Sequence, residues 1–134
     1  MDFNAINWLA VIVAAASAFL LGGLWYSPAL FGKAWLQASG LTEEDAQSGH
    51  PGKVYGLSFL LALLGSAALA LLLGPAPVLL HAVGVGFVAG FALVAGSFGI
   101  NYLFERKSGK LLLINGGYHT VQYTIVGIIL GLWH

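Results

Sequence analysis

Apolar residues run through this chain in long blocks and not in short alternating stretches. The ten charged residues are Asp2, Lys33, Glu43, Glu44, Asp45, Lys53, Glu105, Arg106, Lys107 and Lys110, leaving uncharged runs at 3–32, 54–104 and 111–134. A helix that spans a bilayer takes about 20 apolar residues, so the middle run has room for two. Gly74-Pro75-Ala76-Pro77 divides that run, because proline lacks a backbone donor and clashes with the preceding turn. The pattern predicts a single domain over 1–134 with four spans, at about 5–26, 54–74, 78–104 and 110–133. The short connections make spans 2 and 3, and spans 3 and 4, antiparallel neighbours.

The connection between spans 1 and 2 carries structure of its own. Ser27 is a candidate N-cap with Pro28 in the first helical position. Leu30, Phe31, Ala34, Trp35 and Ala38 then recur at helical spacing up to Gly40. This predicts an amphipathic helix over about 28–39, lying in the membrane interface. Thr42-Glu43-Glu44-Asp45 has the capping-box pattern of a further short polar helix.

Composition strengthens the membrane reading. Of 134 residues, 59% are hydrophobic and 7% charged, against about 25% charged in soluble domains. Ten charges cannot wet the surface of such a globule, which excludes an ordinary soluble enzyme, a disordered chain and a nucleic-acid binder. There is no cysteine, hence no disulfide or thiolate chemistry. Ala16-Ser17-Ala18 resembles a cleavage site, but Asp2 without a nearby Lys or Arg argues against a cleaved signal peptide. All five Lys and Arg residues fall in loops 1–2 and 3–4. The positive-inside rule therefore puts those loops in the cytoplasm and both termini outside.

Lipid is as apolar as leucine, so such helices associate through close backbone packing and interhelical hydrogen bonds. Ala10, Ala14, Ala18 and Gly22 form a small-residue stripe on span 1. Span 3 has two small faces, Gly86, Gly90 and Ser97 on one and Gly84, Ala92, Ala95 and Gly99 on the other, which predicts a central position. Gly116, Thr120, Gly127 and Gly131 line span 4. These stripes suit packing within the chain first and a homo-oligomer second.

Polar groups at membrane depth are the candidate chemistry. Asn115, His119 and Gln122 share one face of span 4, with His119 roughly 13 Å past Lys110. Ser97, Asn101 and Glu105 share a face of span 3 and are expected to meet that row. The two rows either glue the helices together or line a small cavity in which His119 binds or relays a proton or solute. Glu105 beside Arg106 and Lys107 also suits a solvated ion pair. His50, His81 and His134 form no metal motif, and no nucleophile–base motif is present. No cofactor, metal or catalytic activity is expected. Trp25-Tyr26-Ser27-Pro28 reads as an aromatic anchor at the interface.

Leu24-Trp25-Tyr26-Ser27-Pro28-Ala29-Leu30-Phe31-Gly32-Lys33-Ala34-Trp35 resembles a signature of DUF1761, a bacterial family of small membrane proteins of unknown function. Asn101-Tyr102-Leu103-Phe104-Glu105-Arg106-Lys107 and Leu113-Ile114-Asn115-Gly116-Gly117-Tyr118-His119 resemble its second signature. The resemblance implies a four-helix membrane protein. It marks Trp25, Tyr26, Ser27, Pro28, Phe31, Gly32, Lys33 and Trp35 as residues to follow, and implies no activity. The sequence as a whole thus predicts an all-α integral membrane four-helix bundle. Two functions fit it. One is an oligomeric channel or transporter with a cytoplasm-facing polar cavity between helices 3 and 4. The other is a non-transporting module that binds lipid or a partner protein.

Overall fold

The computed structural model describes residues 1–134 and is all-helical, with no strand. A single 3-10 turn precedes α1 (Trp8–Trp25). Two short helices follow, α2 (Gly32–Ser39) and α3 (Glu43–Gln47). Then come α4 (Pro51–Leu73), α5 (Leu79–Val88), a π-helical segment (Ala89–Ala95), α6 (Gly96–Glu105) and α7 (Gly109–Leu132). Local chemistry sets most of the starts. The Asn7, His50 and Ser108 side chains accept from the backbone N–H groups of Ala10, Lys53 and Leu111, satisfying donors that a helix start leaves free. Thr42 and Asp45 make both bonds of the capping box at 3.0 and 3.1 Å, and the Thr42 bonds hold the Asp45 carboxyl below its usual range.

Three rods are long and apolar enough to cross a membrane: α1, α4 and the continuous stretch Leu79–Glu105. The fourth long helix, α7, has the length but not the apolarity, because Asn115, His119 and Gln122 interrupt it. Its position explains how the chain tolerates this. α7 packs against α1, α2, α4, α5, the π segment and α6, and it buries Ile114, Gln122, Val126 and Leu130. The two small faces of span 3 predict that helix at the centre. The structure puts α7 there instead, with Gln122 buried and Asn115 and His119 half-buried among the more apolar rods. Large apolar side chains such as Leu20, Leu61, Leu80 and Phe104 point outward, as lipid-facing residues do.

The glycine stripes are used within the chain. A Cβ on Gly131 would lie 3.0 Å from Leu79 Cα, and one on Gly127 would collide with the Ala82 carbonyl. One on Gly86 would collide with Tyr123, one on Gly90 would lie 2.8 Å from Thr120 Cα, and one on Gly116 would lie 3.0 Å from Ala95 Cβ. These pairs run antiparallel down the two helices at near backbone contact. Spans 2 and 3, by contrast, hardly touch beyond the Gly74–Pro77 turn. An apolar groove lined by Leu69, Leu72, Leu80, Val85 and Val88 separates them. α4 packs on α1, and span 3 packs on α7, so a short connection has not made these two helices close neighbours. The core common to α1, α4 and α7 contains Ala10, Val11, Ala14, Leu69, Ala70, Val126 and Leu130.

The amphipathic helix begins at Gly32, four residues later than the Ser27-Pro28 pattern predicts. Ser27 does not cap it: its hydroxyl donates back to the Leu24 carbonyl at 2.7 Å, and the helix starts after Phe31 with no side-chain cap. Residues 25–32 instead form a compact turn. The Ser27 carbonyl accepts from the Leu30 and Gly32 N–H groups at 3.0 and 2.9 Å, and the Trp25 carbonyl accepts from Phe31 N–H at 2.9 Å. The predicted stop at Gly40 is present as a left-handed cap, φ 75°. Gly32 is buried in this turn, and a Cβ there would lie 2.8 Å from both the carbonyl carbon and oxygen of Ser27. Gly32→Ala should therefore lower stability by about 1–3 kcal/mol. A thermal melt in detergent checks this, and a melting temperature equal to wild type would contradict the packing described.

Candidate functional site

The site lies where the end of α1, the start of α7 and the end of α6 meet. These ends coincide because the helices alternate in direction. Trp25 sits beside Ile114 and Ala18 beside Tyr118, while Ala10 and Ala14 share the core with Val126 and Leu130. The same end of the molecule carries all five Lys and Arg residues, in α2, at the starts of α4 and α7, and in the α6–α7 turn.

Asn115 is the node. Tyr26 Oη donates to Asn115 Oδ1 at 2.7 Å, and Asn115 Nδ2 donates to Tyr102 Oη at 2.8 Å. One side chain thus ties α1 and α6 to α7. Two further bonds reinforce the α1 side: Trp25 Nε1–H donates to the Ile114 carbonyl at 2.9 Å, and Tyr118 Oη donates to the Ala18 carbonyl at 2.8 Å. Aromatic packing fills the space between. Tyr26 lies 5.5 Å from Tyr118 and 5.9 Å from Trp35, and Trp25 lies 4.8 Å from Phe31, centroid to centroid, inside the range of favourable aromatic pairs. The Trp25-Tyr26 pair, expected as an interfacial anchor, points into the molecule and joins the helices.

His119 stands one turn beyond Asn115. Phe98 stacks on its ring at 5.3 Å and Tyr118 meets it edge-on at 4.9 Å. Its Nδ1 lies 2.9 Å from Gln122 Oε1. Since an amide oxygen only accepts, Nδ1 is the donor in this contact.

A cavity of about 750 Å³ opens beside this cluster. Asn115, His119 and Tyr26 line its inner part, and Lys33, Glu43 and Gln47 line its rim. Tyr55 and Ser58 of α4 form its far wall. Of the six residues expected to line a cavity between helices 3 and 4, Asn115 and His119 face this one, and Gln122 is buried behind as the partner of His119. Ser97, Asn101 and Glu105 are exposed on the other side of span 3, with Ser97 donating to the Leu93 carbonyl in its own helix. Span 3 contributes only Phe98, so the cavity lies between α7, α4 and the α1–α4 connection.

The π segment explains the misplaced row. The residues of span 3 that meet α7 are Gly86, Gly90, Ala95 and Gly99, spaced four, five and four residues apart. A five-residue step is the π-helical repeat. It turns the face below Ala95 so that Phe98 and Tyr102 meet α7, and Ser97, Asn101 and Glu105 turn outward. From the sequence alone, Tyr102 carries no signal that separates it from the other aromatic residues at a membrane boundary. Tyr26 and Trp25 do stand out there, but as anchors.

Fold and site together define an all-helical protein with membrane-spanning helices whose polar and aromatic residues concentrate at one end. A family model described as "Protein of unknown function (DUF1761)" matches residues 9–131, and the chain belongs to that family. Comparisons with curated proteins and with solved structures gave no match. Within the matched region, the stretch Leu24–Trp35 is bonded to the segments Asn101–Lys107 and Leu113–His119 through Tyr26, Tyr102 and Asn115.

Proposed function

We propose that the protein crosses a bacterial inner membrane four times, with α7 as the fourth span, its basic end in the cytoplasm and both termini outside. The cavity is then a cytoplasm-facing binding site for a small solute. The observation that carries this reading is the cavity itself, with a hydrogen-bonded floor at Asn115 and His119 and a charged rim at Lys33 and Glu43. Polar groups gathered at membrane depth are costly, and they are a usual mark of solute pathways.

A single chain offers a pocket and not a pore. Beyond the site, Ala10, Val11, Ala14 and Val126 are fully buried in one another's company, which closes the outer half. Passage across the membrane would need rearrangement of this core or a second chain, so the reading is of a subunit of an oligomeric transporter or channel.

The absence of native cysteine makes a clean test. Ser58→Cys should react with a charged, membrane-impermeant methanethiosulfonate in inside-out vesicles and not in right-side-out ones. Leu69→Cys, in the closed core at 2% exposure, should react in neither. A Ser58→Cys chain that is inert from both sides, or reactive only from outside, would overturn the reading.

A further inference from the structure

Resting on the cavity as a binding site, we propose that its ligand is a zwitterionic single-chain amphiphile of the lysophosphatidylethanolamine type. The head lies in the cavity, and the acyl chain lies along α1 and α4. A second recess of about 600 Å³ adjoins the cavity and shares Tyr26, Val54, Tyr55 and Ser58 with it. Beyond these shared residues it is lined by Ala18, Phe19, Gly22, Gly23, Ala62 and Tyr118, and the one polar side-chain group among these, the Tyr118 hydroxyl, is engaged by the Ala18 carbonyl. It extends from Tyr26 to Ala18 on α1 and from Val54 to Ala62 on α4. Each is a rise of eight residues, or roughly 12 Å. The cavity, which alone carries the charged and amide side chains, therefore continues directly into a trough along α1 and α4, which is the shape of a headgroup with one chain. The apolar recesses beside α4–α5 and beside α6–α7 share no residue with the cavity, so neither leads a second chain away from it.

The rim selects the head. Lys33 and Glu43 line the same cavity from α2 and α3, so it offers one cation and one anion, the complement of a phosphate and an ammonium. A purely anionic head gains Lys33 but faces Glu43 unpaired, which penalises the wrong ligand. The trough is kept clear at Gly23, where a Cβ would meet nothing within 4 Å, whereas at Gly22 it would meet Tyr118 Oη at 3.4 Å. A larger side chain at position 23 thus fills the groove without disturbing the helices.

Radiolabelled lysophosphatidylethanolamine titrated into the purified full chain at a fixed detergent mole fraction tests this. The expected result is saturable binding of one per chain. It should weaken at least about tenfold in Gly23→Leu and in Lys33→Gln, stay unchanged in Gly84→Leu, and be several-fold tighter than for lysophosphatidylglycerol. Non-saturable partitioning, full binding by Gly23→Leu, or equal affinity for the two lipids would overturn the proposal. Thiol labelling of Ser58→Cys separates the two levels. Labelled but without lipid binding, the cavity reading stands and the amphiphile fails; unlabelled, both fail.

Discussion

Gly90→Val should unfold at a lower temperature than Gly32→Ala or Asn115→Leu, or fail to accumulate in the membrane. Gly90 is buried in the π segment, where a Cβ would lie 2.8 Å from Thr120 Cα and 3.1 Å from the His119 carbonyl carbon. Both neighbours are backbone, so no rotamer change can make room, and α7 must move away from span 3. Overpacking typically costs about 1–3 kcal/mol and occasionally more; this site belongs at the upper end, because separation also weakens the contacts at Gly86 and Gly116. Gly84→Val is the control, since Gly84 has nothing within 4 Å and lies in the same helical rod. It should melt near wild type. Equal losses at the two positions would show that valine in the helix, and not the approach of α7, sets the cost.

Asn115→Leu should have the second-largest effect, and it should act on the site as well as on stability. It removes the acceptor of Tyr26 and the donor to Tyr102 together. A lost polar partner costs about 1–3 kcal/mol when the group left behind is shielded from water, and interhelical bonds in membranes are worth about 0.6–1.7 kcal/mol each. A loss of about 1–3 kcal/mol follows. Tyr26→Phe and Tyr102→Phe should each lose part of it, and a double-mutant cycle between Tyr26 and Asn115 should show coupling. Additive losses would mean that the two side chains do not support one another, and Asn115 would no longer be the junction of α1, α6 and α7.

Much of the architecture is legible in the hydrophobic pattern, because bilayer thickness and proline chemistry leave few choices for runs as apolar as 3–32 and 54–104. The helix caps at Thr42 and Gly40 are equally local, and so are readable. The position of α7 is not local. Its polar row lowers its apolarity, and only the packing reveals that the same row is what the other rods enclose. Regular α-helical spacing through Ala89–Ala95 puts Ser97, Asn101 and Glu105 on the wrong side of span 3, because the backbone there widens by one residue per turn. Nothing in Ala-Gly-Phe-Ala-Leu-Val-Ala distinguishes a π turn from an α turn. The Ser27-Pro28 pair misleads for another reason: it carries helix-start chemistry, but the backbone of Trp25–Gly32 closes on itself as a turn and the helix starts after it.

Whether α7 threads the bilayer as a fourth span decides the placement of everything else, since the cavity opens beside its first turns. His134→Cys and Lys107→Cys, each the sole thiol in the chain, should be compared by impermeant maleimide labelling in intact bacterial spheroplasts. His134→Cys should label at once, and Lys107→Cys only after the membrane is opened. Labelling of both positions on the same side of the membrane would contradict the account.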